Sequence, residues 1–225
     1  MSRENRVADL EQRLTQAHRA PPGYADRRFL LRLLEHQQLL CRVHASGNLC
    51  AKRGCDALVP LHSAALFRGT GFDVMAMAPR KARYLWRDHA RYADATGLPF
   101  RRPSRFPIKT ALALRCVLSV DTPGAKDQGR GPIELSQALF RSYWERDENI
   151  ADPEVLASLI SGMHLDPSSI IARANSQEIR DALREVTQRA VERGVFGVPT
   201  FFVNEEMFWG KDRLDFVEQR VKRDH

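Results

Sequence analysis

The residues whose types and spacing best suit chemistry lie near the end of the chain, in Gly194-Val-Phe-Gly-Val-Pro-Thr200, followed ten residues after Pro199 by Trp209-Gly-Lys-Asp-Arg-Leu214. Pro199 leads directly into an apolar run, and a proline cannot donate to a strand ladder, so its position needs a reason. A cis Val198–Pro199 bond would supply one, because it presents the backbone N–H and C=O of Val198 as an edge on which an extended ligand can pair. A trans proline at a strand start explains the same residues, and with cis bonds at about 5% of X–Pro the local pattern alone favours it. Asp212, at the start of the last helix, can cap it. The four cysteines, at positions 41, 50, 55 and 116, match neither a zinc site nor a paired framework and read as reduced thiols. Cys50 and Cys55 are too far apart for a dithiol oxidoreductase. No metal is expected.

The elements that must hold these residues can be read around them. Asn175 caps a helix with Glu178 three residues on, Ile179, Leu183, Val186 and Ala190 form its apolar face, and Gly194 ends it. Pro199 to Val203 and Met207 to Trp209, split by Asn204-Glu205-Glu206, form a hairpin. Leu214, Val217 and Val221 mark a last helix. The middle is helical: Asp152-Pro153 and Asp166-Pro167 are start signals, Leu135, Leu139 and Tyr143 form a stripe, and 80–93 is a charged helix. Its basic run Arg80, Lys81, Arg83, Arg87 is interspersed with acid and reads as a solvated face. Pro99, Pro103 and Pro107 mark an extended loop. The segment 121–131 is an exposed connection, and 6–18 has helical spacing.

The 225 residues, 43% hydrophobic and 28% charged, suit one or two packed domains and exclude collagenous, coiled-coil or disordered chains. No stretch is apolar enough for a membrane span or a signal peptide, so a cytoplasmic location is the default. The net charge of +7 is concentrated in residues 1–55, which hold ten basic and five acidic residues and three of the four cysteines. No basic stripe or nucleic-acid motif lies beyond that quarter, so nucleic acid is not an expected partner.

The two C-terminal motifs, together with Ala65-Leu-Phe-Arg-Gly-Thr-Gly71, Tyr84-Leu-Trp-Arg-Asp88, Gly97-Leu-Pro-Phe100, Phe106-Pro107 and Leu139-Phe-Arg-Ser-Tyr-Trp144, resemble the 2-hydroxychromene-2-carboxylate isomerases, relatives of the kappa-class glutathione transferases. The resemblance covers roughly residues 58 to 221. It implies an α/β fold, a thioredoxin-like domain with a large all-helical insertion. The chain would divide into an N-terminal extension (1–26), a first thioredoxin-like part (27–76), the insertion (77–185) and a second thioredoxin-like part (186–225). Glutathione is the implied cofactor: Val198 would pair with its cysteinyl part, and Trp209, Gly210, Lys211 and Asp212 would hold its γ-glutamyl end. Phe67, Arg68 and Phe106 would meet a small aromatic keto acid between the domains, with Arg68 pairing its carboxylate. The implied reaction interconverts 2-hydroxychromene-2-carboxylates and trans-o-hydroxybenzylidenepyruvates. The same kinship leaves open a transferase or peroxidase, or an inactive glutathione-binding protein; a homodimer is also left open.

One family motif is missing. Relatives open with a strand and a loop whose serine favours the glutathione thiolate at a helix N-terminus. That serine is expected near Glu35, yet none occurs between Ser2 and Ser46. Reading one nucleotide later restricts each codon. Leu-Leu then permits Phe or Tyr, Arg32-Leu33 permits Asp, and Glu35-His36, Gln37-Gln38 and Gln38-Leu39 permit only Ser or Asn. From Leu30 the displaced frame permits Phe-Phe-Asp-Phe-Ser-Ser-Thr-Asn-Ser-Tyr-Phe-Ala, a string similar to the missing motif. We read residues 27–57 as carrying a single-base frame displacement.

Overall fold

The computed structural model describes residues 39–43, 57–71, 73, 76–120 and 131–223. The expectations for helix 6–18, for the serine near Glu35, for Cys50 and Cys55 and for 121–130 lie outside them.

The described chain begins with strands β1 (Leu39–Val43) and β2 (Ala57–Pro60) and helices α1 (Ser63–Thr70) and α2 (Pro79–Thr96). Next come α3 (Ala111–Ser119), α4 (Pro132–Phe140) and a π-helical turn (Arg141–Glu145), then α5 (Pro153–Gly162), α6 (Pro167–Ala174) and α7 (Gln177–Glu192). Strands β3 (Thr200–Val203) and β4 (Glu206–Trp209), a 3-10 turn (Lys211–Arg213) and α8 (Leu214–Arg223) complete it.

The strands form one sheet in the order β2-β1-β3-β4. All four residues of β3 are buried, as in a strand covered on both faces. Phe202 joins Val186 and Ala190 of α7, Leu66 of α1 and Val59 in one apolar cluster. A second cluster sits among α3 to α6, with Val117, Leu135, Leu139, Leu156 and Ile160 at its centre.

Most helix boundaries follow the local signals. Asp152 and Asp166 accept backbone hydrogens at the starts of α5 and α6, and each helix opens on a proline. The start of α7 differs from expectation: Ser176 is the cap, accepting from Ile179 N–H, while Asn175 closes α6. A capping oxygen must reach the third N–H of its helix, and from Ser176 that N–H belongs to Ile179. The expected apolar face is nonetheless in place, with Ile179, Leu183, Val186 and Ala190 all buried. Leu214, Val217 and Val221 are buried likewise along α8. The hairpin turn is shorter than expected, two residues rather than three, with Asn204 in the left-handed region at φ 55°. Asparagine tolerates that conformation better than most residues, which allows Glu206 to join the ladder.

The central strand also departs from expectation. β1 runs antiparallel to β2 and parallel to β3. A strand, loop and helix leading to the next strand would make β1 and β2 parallel. Moreover, 39–43 falls at the loop and helix start of the displaced-frame reading, yet it is extended. The physical reason is the slot itself: an open edge on β3 accepts an extended segment in either direction through backbone hydrogen bonds.

Candidate functional site: an apolar cavity beside a cis-proline loop

The Val198–Pro199 peptide is cis. The loop is held from both sides, because Thr200 Oγ1 donates to Gly197 O at 2.6 Å and Gly210 N–H donates to Pro199 O at 3.0 Å. Val198 N–H and C=O make no backbone hydrogen bond among the described residues, although the side chain is buried. They form a short unpaired edge, able to bind an extended peptide-like chain.

Two glycines make this arrangement possible. A Cβ on Gly197 would lie 2.5 Å from Trp209 Nε1, so the indole packs directly on the loop backbone. Gly210 has φ 104°, and a Cβ there would meet Asp212 Oδ1 at 2.6 Å. Phe196 lies against Trp209, ring centroids 4.9 Å apart. In the turn beyond, Lys211 Nζ sits 3.7 Å from the centre of the Tyr92 ring of α2, a cation–π contact that ties this turn to the helical layer. The Asp212 carboxylate is paired with Arg213 at 2.7 Å, both side chains well exposed.

Next to the loop lies a cavity of about 600 Å³. Phe67 of α1, Val198 and Trp209 line one side; Leu85, Trp86 and His89 of α2, with Phe106 and Trp144, line the other. Phe106 meets Trp86 edge-on at 5.0 Å, and Arg102 covers the Trp86 ring at 4.9 Å. The Phe106–Pro107 peptide is also cis.

The Phe106 loop is pinned by the π-helical turn. Arg101 N–H donates to Trp144 O, Tyr143 Oη donates to Arg105 O at 2.6 Å, and Ser104 donates to Asp147 through its backbone N–H and its hydroxyl. Those hydrogen bonds, the backbone one foremost, hold the Asp147 carboxyl below its ordinary range, with Arg101 and Arg105 adding attraction. Burial pushes the Tyr143 phenol up to about 12, so it remains a donor. π-Turns of this kind recur beside functional sites.

Of the residues singled out in the sequence, Phe67, Phe106, Val198 and Trp209 line the cavity; Arg68, Gly210, Lys211 and Asp212 do not. Arg68 is exposed in the last turn of α1; with burial as the larger cause, its charge helps hold His62 below the usual range. Sequence reasoning missed Lys81, Trp86 and His89. Arg80, Lys81, Arg83 and Arg87 are exposed, as a solvated face requires, yet Lys81, Leu85 and His89 recur every four residues, a spacing that sets them on one side of the helix toward the cavity. Cys116 is buried, and burial raises its thiol to about 11, so it is no nucleophile. Among the described residues there is no cluster suited to a metal ion and no helix long and apolar enough to cross a membrane.

A 2-hydroxychromene-2-carboxylate isomerase of Pseudomonas putida is 32% identical over 145 residues, 64% of this chain and 66% of its own length. Another from Pseudomonas sp. strain C18 is 31% identical over 63% of each chain. The chain therefore spans slightly less than two thirds of these relatives. Rat glutathione S-transferase kappa 1 is 24% identical over 80% of this chain and 81% of its own. The solved structure of selenomethionine 2-hydroxychromene-2-carboxylate isomerase superposes with a TM-score of 0.61 at 24% identity, covering 73% of this chain and 78% of that one, which establishes the shared fold. The family model of the DSBA-like thioredoxin domain matches residues 50–222, and the chain belongs to that family.

Proposed function

We propose that the protein is a glutathione-dependent isomerase interconverting 2-hydroxychromene-2-carboxylates and trans-o-hydroxybenzylidenepyruvates. The observation that carries this reading is the aromatic-walled cavity directly against the Val198 edge, whose backbone groups are unpaired among the described residues. The edge suits the peptide-like backbone of glutathione, and the cavity suits a flat conjugated ring system. Glutathione held on this edge would supply a thiol able to add reversibly to the conjugated alkene. The chain's own part is to orient and enclose. Val198 fixes the extended backbone, Trp209 on Gly197 closes one end, and Trp86 and Phe106, packed edge-on, form an aromatic wall for the ring. The relatives named isomerases and kappa transferases support the same reading.

The test is the absorbance change of trans-o-hydroxybenzylidenepyruvate with the purified full chain, with and without glutathione. A glutathione-dependent rate above the enzyme-free background is expected; the same rate without glutathione would overturn the reading. A second reading has one observation in its favour, the lack of any serine between Ser2 and Ser46. It makes the chain a glutathione-binding protein without thiolate activation. Calorimetric binding of glutathione without turnover would select it.

A further inference from the structure

Only one charged side chain, Lys81, lines the cavity, and it takes part in no ion pair among the described residues. Two turns further along α2 on the same face, His89 Nδ1 is hydrogen-bonded to the Leu85 carbonyl. That bond makes Nδ1 the donor, so in the uncharged ring the lone pair lies on Nε2. His89 Nε2 has no protein partner, yet Arg115 Nε is the single buried, unpartnered side-chain nitrogen among the described residues. It follows that Nε2 is accessible, and His89 lines the cavity. The His89 ring is stacked on Phe100 and tilted against Trp86, which fixes its plane.

From this we infer that Lys81 and His89 read the two polar ends of the substrate, Lys81 binding its carboxylate and His89 Nε2 accepting the hydrogen of its aromatic hydroxyl. The inference rests on the isomerase reading and adds to it the residues that set specificity. Lys81 is exposed at the cavity's rim, and as the one cation on an otherwise apolar lining it is the group there able to pair with an anion. Along the helix axis the two residues are about 12 Å apart, eight residues at the rise of an α-helix, and the flexible lysine stem shortens that gap. Between them, Leu85 and Trp86 supply the flat apolar surface on which the conjugated part rests. Thr70, the remaining hydroxyl on the lining, donates to Phe67 O. This assignment places carboxylate recognition on α2, within the helical layer, and not at Arg68.

The experiment measures binding through quenching of tryptophan fluorescence, since Trp86 and Trp144 both line the cavity. Three probes are titrated into the glutathione-loaded full chain: trans-o-hydroxybenzylidenepyruvate, benzylidenepyruvate without the hydroxyl, and o-hydroxybenzylideneacetone without the carboxylate. Lys81→Met should weaken both carboxylate probes roughly tenfold and leave the ketone unchanged. Lys81→Arg should restore most of the loss. His89→Phe, which keeps the aromatic stack, should remove a roughly threefold or larger preference for the hydroxylated probes. A merely structural role would weaken all three probes alike. Discrimination that survives in K81M and H89F overturns the assignment and leaves the isomerase reading intact. Wild-type protein that binds none of the probes overturns both. Discrimination lost as expected in protein without an isomerase rate supports the assignment and removes the isomerase reading alone.

Discussion

The C-terminal hairpin and the central strand beside it share a sheet but obey different rules. In β3 and β4, residue type and conformation agree position by position: Asn204 takes the left-handed turn, Gly210 the positive φ, and Phe201 and Phe202 fill both faces. β1 lies against the same β3, yet its direction opposes the strand-helix-strand order that the family resemblance implies. A strand's backbone supplies hydrogen bonds whatever its sequence, whereas register and direction come from side chains and connections. The contrast therefore separates what a sheet edge will accept from what a sequence specifies.

The sharpest way to break the comparison is to remove a side chain on the specified side. Phe202→Ala should cost about 3–5 kcal/mol in denaturant unfolding, because Phe202 is buried between α1, α7 and Val59 and is covered by Arg193 at 3.7 Å. A cost below 1 kcal/mol would deny β3 its role as the core strand. Smaller, about 1–3 kcal/mol, is the expected loss for Gly197→Ala, whose methyl would force Trp209 off the loop. The same variant should alter Trp209 fluorescence, and an unchanged spectrum would contradict the contact.

The other side of the comparison calls for a gain. Replacing the residues from Leu30 onward with the displaced-frame string should raise glutathione-dependent isomerase turnover roughly tenfold or more, since a serine at the thiol increases its thiolate fraction near neutral pH. Equal turnover in both chains would refute the importance of that segment. The smallest expected effect concerns the Phe106 loop. The Asp147 carboxyl is held below its ordinary range, so its hydrogen bonds to Ser104 stabilise the loop above about pH 4 and are lost as pH falls through the lowered folded value. Tryptophan emission from Trp86 and Trp144 should shift over that acid window, and Asp147→Asn should flatten the change.

Much of this architecture was legible in residue order, for reasons that particular residues make plain. Asp-Pro pairs announce helix starts since a side-chain oxygen and a fixed φ act within one turn, and both α5 and α6 follow them. The four-residue stripe of α7 and the Pro199 to Trp209 hairpin are equally local. What escaped depends on distance in the chain. The cavity joins Phe67, Trp86, Trp144 and Val198 from four separate segments, and Lys81 differs from its basic neighbours only by the side of the helix it occupies. The Asp147 clamp on Ser104 spans 43 positions, beyond any local pattern.

One helix gives the cavity its mechanical character. α7 contributes Ile179 and Leu183 to a cluster with Leu114 and Leu118 of α3, and Val186 and Ala190 to the cluster under the sheet. A single uninterrupted rod is thus built into both layers. The two walls of the cavity cannot slide past each other unless that rod bends or one cluster opens, so the gap between them behaves as a fixed gauge. The separation of the walls is thereby set by packing that lies away from the cavity itself.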